Sequence, residues 1–205
     1  FVMWTNTLRD NNQLSAEVNF WQKNSIVDFY QKREIFPFID FTPASVQKFG
    51  IYTTPFDFNS GPKNQTVNID GLSIGNLICS ELNLPSLASY DSRNSDIIFA
   101  IGSAAVFRDQ IMGDRNIILA QFRAVENNVS VIRADRKGPS AVIDSRGRIL
   151  SFLPFGKDGV LKYDLPIYKH KNTLYSAVGD WFIVLLAAMI LLIAFRKKRF
   201  NEKSL

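Results

Sequence analysis

Cys79 is the only cysteine in the 205-residue chain. It ends a short apolar run in which Leu72, Ile74, Leu77 and Ile78 mark a buried strand, and Ser80 and the carboxylate Glu81 follow it directly. Asn83-Leu84-Pro85-Ser86-Leu87 then turns the chain out of the sheet. A thiol at such a junction can project from the sheet end into a cleft, where its thiolate is a nucleophile. A free cysteine also packs as a small hydrophobe, so its neighbours decide between the two roles. One cysteine permits no internal disulfide, and no cluster of Cys and His with metal-ligand spacing occurs, so neither a metal nor another cofactor is expected. The single histidine, His170, lies between Lys169 and Lys171 in a polar, solvated segment. That argues against Ser-His-Asp or Cys-His catalysis within this chain.

The elements that must position Cys79 alternate between strand and helix. Val18–Trp21 and Ser25–Phe29 read as two strands around Gln22-Lys23-Asn24, and Lys32 follows the second. Thr42 to Gln65 is a long loop rich in Gly, Pro, Asn, Ser and Thr, a lid or an apolar docking surface. Asp96–Ile101 reads as a second buried strand, and Asp109–Asn127 as a helix with Ile118, Phe122 and Val125 on one face. Val129–Arg133 returns as a strand. Ser140–Ile143 and Ile149–Phe152 flank Asp144-Ser145-Arg146-Gly147-Arg148 as a hairpin, and Gly159–Asp164 follows as a last strand. The pattern predicts an α/β layered domain.

The formal net charge is +5, but Arg196-Lys197-Lys198-Arg199 hold four of the positive charges. No basic stripe interleaved with aromatics occurs elsewhere, so a nucleic-acid partner is not expected. Trp181–Phe195 contains no charged residue. As a helix it rises about 22 Å; extended back to Leu174 and ended by snorkelling basic side chains, it is expected to span a membrane. The positive-inside rule then puts the basic tail in the cytoplasm and the preceding domain on the extracytoplasmic face. The expected organisation is a domain over 1–172, a transmembrane helix over 173–195 and a basic tail over 196–205. Beginning at Phe1, the sequence reads as a piece of something longer.

Several motifs, taken in order, resemble the apolipoprotein N-acyltransferases, membrane-embedded members of the nitrilase (carbon-nitrogen hydrolase) superfamily. They are Tyr30-Gln31-Lys32 leading to Pro37-Phe38, Ile78-Cys79-Ser80-Glu81, Phe107-Arg108-Asp109, and Arg123-Ala124-Val125-Glu126. Arg133, Gly138, Ala141-Val142-Ile143-Asp144 and Gly179-Asp180-Trp181 complete the series. The resemblance implies an α-β-β-α sandwich, incomplete at its N-terminus, and a Glu-Lys-Cys triad in which Cys79 is the nucleophile and Lys32 the lysine. An ammonium beside the thiol would favour its thiolate and stabilise an oxyanion. Glu81 matches a glutamate that supports the site. Asp40 falls where a site-lining glutamate is usual. The triad glutamate is expected upstream of Lys32; Glu17 and Glu34 are the nearby carboxylates, and neither sits in a matching motif. Ser80 stands in place of a common aromatic, Ile39-Asp40 in place of Gly-Glu, and Val106 in place of Trp. Asp135-Arg136-Lys137-Gly138 replaces a stretch that is commonly asparagine-rich.

The implied reaction moves a fatty acyl group from a membrane phospholipid to the N-terminal amine of a lipid-modified lipoprotein through a thioester, on the outer face of the bacterial inner membrane. Two alternatives keep the architecture: a membrane-anchored amidase that passes the acyl group to water, and a catalytically degenerate interaction domain.

Overall fold

The computed structural model describes residues 2–8, 14–63, 65–104, 110–168 and 172–202. Phe107-Arg108-Asp109, Val106 and His170 lie outside the described residues. Strands β1 (Val2–Leu8), β2 (Leu14–Gln22) and β3 (Ser25–Gln31) form an antiparallel sheet. The β2–β3 hairpin turns at Lys23 and Asn24, both with positive φ, which suits the right-handed strand twist. A second sheet runs in chain order: β4 (Val67–Ile69), β5 (Leu72–Ile78), β6 (Ile97–Ser103), β7 (Ser130–Arg136), β8 (Ser140–Ile143) and β9 (Ile149–Leu153). Within it β5, β6 and β7 are parallel, and their crossovers carry the helices α2 (Pro85–Ser92) and α3 (Gln110–Asn127). A four-residue helix, α1 (Ala44–Gln47), interrupts the long loop after β3.

Side-chain alternation along β5 divides two cores. Ile74 and Ile78 meet Val18, Phe20 and Tyr30 of the smaller sheet, where the Phe20 and Phe99 rings stack with centroids 6.2 Å apart. Leu77 points the other way, into a core with Ile98, Ala100, Ala120 and Ala124 under the helices. The order of layers is therefore helices, large sheet, small sheet. Among the described residues no helix covers the outer face of the small sheet, where Ile26, Val27 and Phe29 are exposed. The sandwich expected from the sequence is met as α-β-β among the described residues.

Two sequence expectations are corrected, the strand at Gly159–Asp164 and the span over 173–195. Helix α3 forms with Ile118, Phe122 and Val125 on one face, and that face is half-exposed and turned outward. Gly113, Ile117, Ala120 and Ala124 face the sheet instead, because small residues let the helix backbone approach closely. The strand expected at Gly159–Asp164 is absent; Val160 is 93% exposed, so the segment has no apolar face to bury. The single span expected over 173–195 is broken. Thr173 caps α4 (Leu174–Val178), Gly179 ends it with φ +61, and α5 (Trp181–Glu202) begins afresh. Among the described residues no helix is long and apolar enough to cross a membrane. The large apolar side chains of α5 from Trp181 to Ile193 are nevertheless all exposed.

Candidate active site

The smaller sheet delivers Lys32. Its amide donates to the Ala16 carbonyl at 2.8 Å, which continues the β2–β3 pairing one residue past β3. Two residues beyond the inward-facing Tyr30, Lys32 therefore also points between the sheets, and it is 1% exposed. Its ammonium lies 2.5 Å from Asp40 Oδ2, and the same oxygen accepts the Phe36 amide at 2.8 Å. The turn carrying Asp40 is thus folded onto the lysine.

The larger sheet delivers Cys79. By strand alternation it would follow Leu77 to the helix side. Instead its backbone is left-handed, φ +53, and the side chain packs against the inter-sheet core. Non-glycine residues enter this region at a cost and cluster at functional sites. A short 3-10 helix, Cys79–Asn83, begins here and holds the elbow.

Glu81 ties the two deliveries together. Fully buried, its Oε2 accepts the Ile78 amide at 2.7 Å and the Tyr30 hydroxyl at 2.9 Å. Oε1 accepts the amides of Arg33 at 2.7 Å and Glu34 at 3.0 Å. One carboxylate thus fixes the residue before Cys79 and the two after Lys32. Burial pushes the Glu81 carboxyl up from its ordinary range, against the pull of these four donors.

Cys79, Lys32 and Asp40 line one cavity of about 810 Å³, with Trp4, Phe38, Ile39, Phe56 and Phe58 among its apolar walls. The structure brings the four candidate residues into one neighbourhood: three line the cavity, and Glu81 lies buried behind it. Glu17 and Glu34 are not among the lining residues. Burial dominates the thiol and pushes it up, with Asp40 adding to the rise, while Lys32 and Arg133 pull it down. Lys32 thus favours the thiolate as expected, and burial and Asp40 offset it. No group of three or more potential metal ligands occurs among the described residues.

Sequence reasoning missed two supporting groups. Arg33 bonds the Tyr30 hydroxyl at 2.9 Å and Asp91 at 2.5 Å, which anchors the Lys32 segment to α2. Asp91 is pushed up to about 7 by burial, which outweighs the pull of Arg33. Arg133, buried on the helix side of β7 and paired with Asp135, is close enough to Cys79 for each to perturb the other. Gly102 makes room for it: a Cβ there would lie 2.5 Å from the guanidinium. The one advance signal for either was the presence of Arg133 among the family marks.

The carbon-nitrogen hydrolase family profile matches residues 6–171. Apolipoprotein N-acyltransferase 2 of Treponema denticola is 24% identical over 199 residues, 91% of this chain and 38% of that protein. The apolipoprotein N-acyltransferase of Geobacter metallireducens is 30% identical over 151 residues, 72% of this chain and 29% of that protein. The chain thus spans less than two fifths of the length of these relatives. A Saccharomyces cerevisiae member of branch 10 of the nitrilase superfamily superposes with a TM-score of 0.59 at 19% identity, covering 76% of this chain and 55% of that one. An amidase from Nesterenkonia sp. AN1 gives 0.58 at 18% identity, covering 80% and 62%. The fold is the nitrilase-like α/β fold, and the chain belongs to the carbon-nitrogen hydrolase family.

Proposed function

We propose that this chain is the acyl-transfer domain of an apolipoprotein N-acyltransferase, with Cys79 as nucleophile and Lys32 as the stabilising cation. The observation that carries this reading is the meeting of the two side chains, one from each sheet, in a cavity with an apolar wall. The names of the sequence relatives supply the acceptor class. In the first half-reaction Cys79 Sγ attacks the ester carbonyl of a phospholipid while its proton passes to a carboxylate. Asp40 is the carboxylate that lines the cavity among the described residues. The Lys32 ammonium faces the oxyanion. Collapse breaks the ester C–O bond, the proton leaves on the lysophospholipid alcohol, and a thioester remains. In the second half-reaction the α-amine of a lipid-modified lipoprotein attacks the thioester. The C–S bond breaks, an amide forms, and the amine's proton returns to sulfur. The raised thiol fits this sequence, because a protonated nucleophile needs a base in the cavity.

The all-round apolar, exposed surface of α5 over residues 181–194 supports attachment to a membrane through this helix. The basic cluster that follows it in sequence would meet anionic lipid headgroups at the membrane surface. The test is intact mass spectrometry of the full-length membrane protein after incubation with phospholipid, beside Cys79→Ser. A hydroxylamine-sensitive acyl adduct on wild type alone is expected. Its absence from folded protein, or free fatty acid as the end product in the presence of a lipoprotein acceptor, overturns the reading.

A further inference from the structure

The carboxyl ends of the three parallel strands open together on the cavity, where ligands of α/β sheets commonly bind. Strand β5 ends at Ile78, just before Cys79, β6 at Ser103 and β7 at Arg136. Ser103 and Arg136 are register partners. Alternation from Phe99 and Ile101 to Ser103, and from Ile132 to Arg136, puts both on the inter-sheet side. Both line the same cavity as Cys79 and Lys32. The intervening residues of β7, Arg133 and Asp135, face the helices and pair with each other.

The cavity's charges do not balance. Lys32 is matched by Asp40. Arg136, the other charged residue of the lining, is exposed to the cavity mouth and has no carboxylate partner among the described residues. The turn that presents it is nonetheless built. Asp135 Oδ1 accepts the amides of Ala104 at 2.7 Å and Gly138 at 3.1 Å, and the Asp135 amide donates to Ser140 Oγ at 3.0 Å. A Cβ on Gly138 would lie 2.6 Å from that carboxylate oxygen, so the turn closes tightly around it. The cavity therefore joins an apolar wall, a nucleophile and a guanidinium that no carboxylate among the described residues pairs.

We propose that Arg136, with the Ser103 hydroxyl beside it, is the subsite for the anionic phosphodiester of the acyl donor; this rests on the acyl-transfer reading above. A guanidinium matches two phosphate oxygens with a planar pair of donors, which an ammonium cannot do. The headgroup phosphate sits at the strand ends, and the acyl chain lies along the apolar wall with its ester beside Cys79.

The experiment compares thioester formation in the full-length membrane protein from two donors, dimyristoyl phosphatidylglycerol and the phosphate-free p-nitrophenyl myristate. In Arg136→Gln the ratio of loading rates, phospholipid over p-nitrophenyl ester, is expected to fall about tenfold or more, the scale of one lost charge-assisted hydrogen bond. Arg136→Lys is expected to recover part of it. An equal fall with both donors, or no fall, overturns the subsite. Binding of a diether phosphatidylglycerol and of the matching diether glycerol to Cys79→Ala protein separates the two readings. If wild type forms no thioester from either donor, acyl transfer fails. A preference for the phosphate lipid of about tenfold that Arg136→Gln abolishes still sustains the subsite, and equal binding of the two lipids removes it.

Discussion

Lys32 and Asp40 close an ion pair between the two sheets, Nζ to Oδ2 at 2.5 Å, with neither side chain more than 8% exposed. That pairing is part of why a lysine beside a cysteine does not yield a low thiol pKa here. Burial of the thiol is the larger cause, and Asp40 adds to it against the pull of the ammonium. The two partners act on Cys79 with opposite sign. In Asp40→Asn the thiol should titrate lower than in wild type, and in Lys32→Met higher. The pH profile of iodoacetamide alkylation at Cys79 checks both directions. If Asp40 also takes the thiol proton, Asp40→Asn should lose acylation even as alkylation becomes easier. An Asp40→Asn enzyme that keeps its acylation rate would exclude that role.

The same pair has a stability consequence. Removing one member of a buried pair leaves the other charge without compensation, at about 3–5 kcal/mol. Asp40→Ala should therefore lower the unfolding free energy of the full-length protein by roughly that amount. Replacing both, Lys32→Met with Asp40→Leu, should recover most of the loss, because no charge then remains buried. Denaturant titrations of wild type and the two variants measure this. A double variant no better than the single one shows that the pair contributes more than it costs to bury.

Glu81 makes four contacts with one carboxylate, and Tyr30→Phe deletes only one of them. The hydroxyl also accepts from Arg33 Nε, so the variant loses two hydrogen bonds, which should cost about 1–3 kcal/mol. Glu81→Gln presents an NH2 group to donors that need an acceptor. It should destabilise more than Tyr30→Phe, and because both the elbow and the lysine segment lose an anchor, thioester formation should fall together with stability. Equal unfolding midpoints for the two variants would contradict the clamp.

Much of this architecture is legible in the sequence. Apolar runs with strand spacing locate β5, β6 and β7, and the turn residues Lys23 and Asn24 locate the first hairpin. Cys79 stands out because nothing else in the chain can act as a thiol, and its place at a strand end survives in the structure. The failures share a physical cause. The shared face of Ile118, Phe122 and Val125 is legible, but not that it turns outward, because close helix–sheet approach selects the small side chains Gly113, Ala120 and Ala124. Lysine is usually exposed, and only the register of β3 beyond Tyr30 reveals that Lys32 points inward. Arg33 and Asp91 are 58 residues apart, so nothing local announces that they meet. The thiol's direction of shift depends on how fully the sheets bury it, which no spacing encodes.

Asp91 gives the site a pH dependence whose sign is unusual for a carboxylate paired with arginine. Burial raises it from 3.8 to about 7 in the folded chain. A folded group that holds its proton more tightly than the unfolded one contributes stability that is complete below pH 3.8 and is lost as pH rises to about 7. Three units correspond to up to about 4 kcal/mol. Removing that dependence with Asp91→Asn should flatten unfolding free energy against pH across this window, relative to wild type. The asparagine also leaves Arg33 without its countercharge, so above pH 7 the variant should be the less stable of the two. Parallel slopes for wild type and variant between pH 4 and 7 would place the proton elsewhere in the buried Tyr30–Glu81–Arg33 cluster, of which Glu81, also raised by burial, is the other carboxyl.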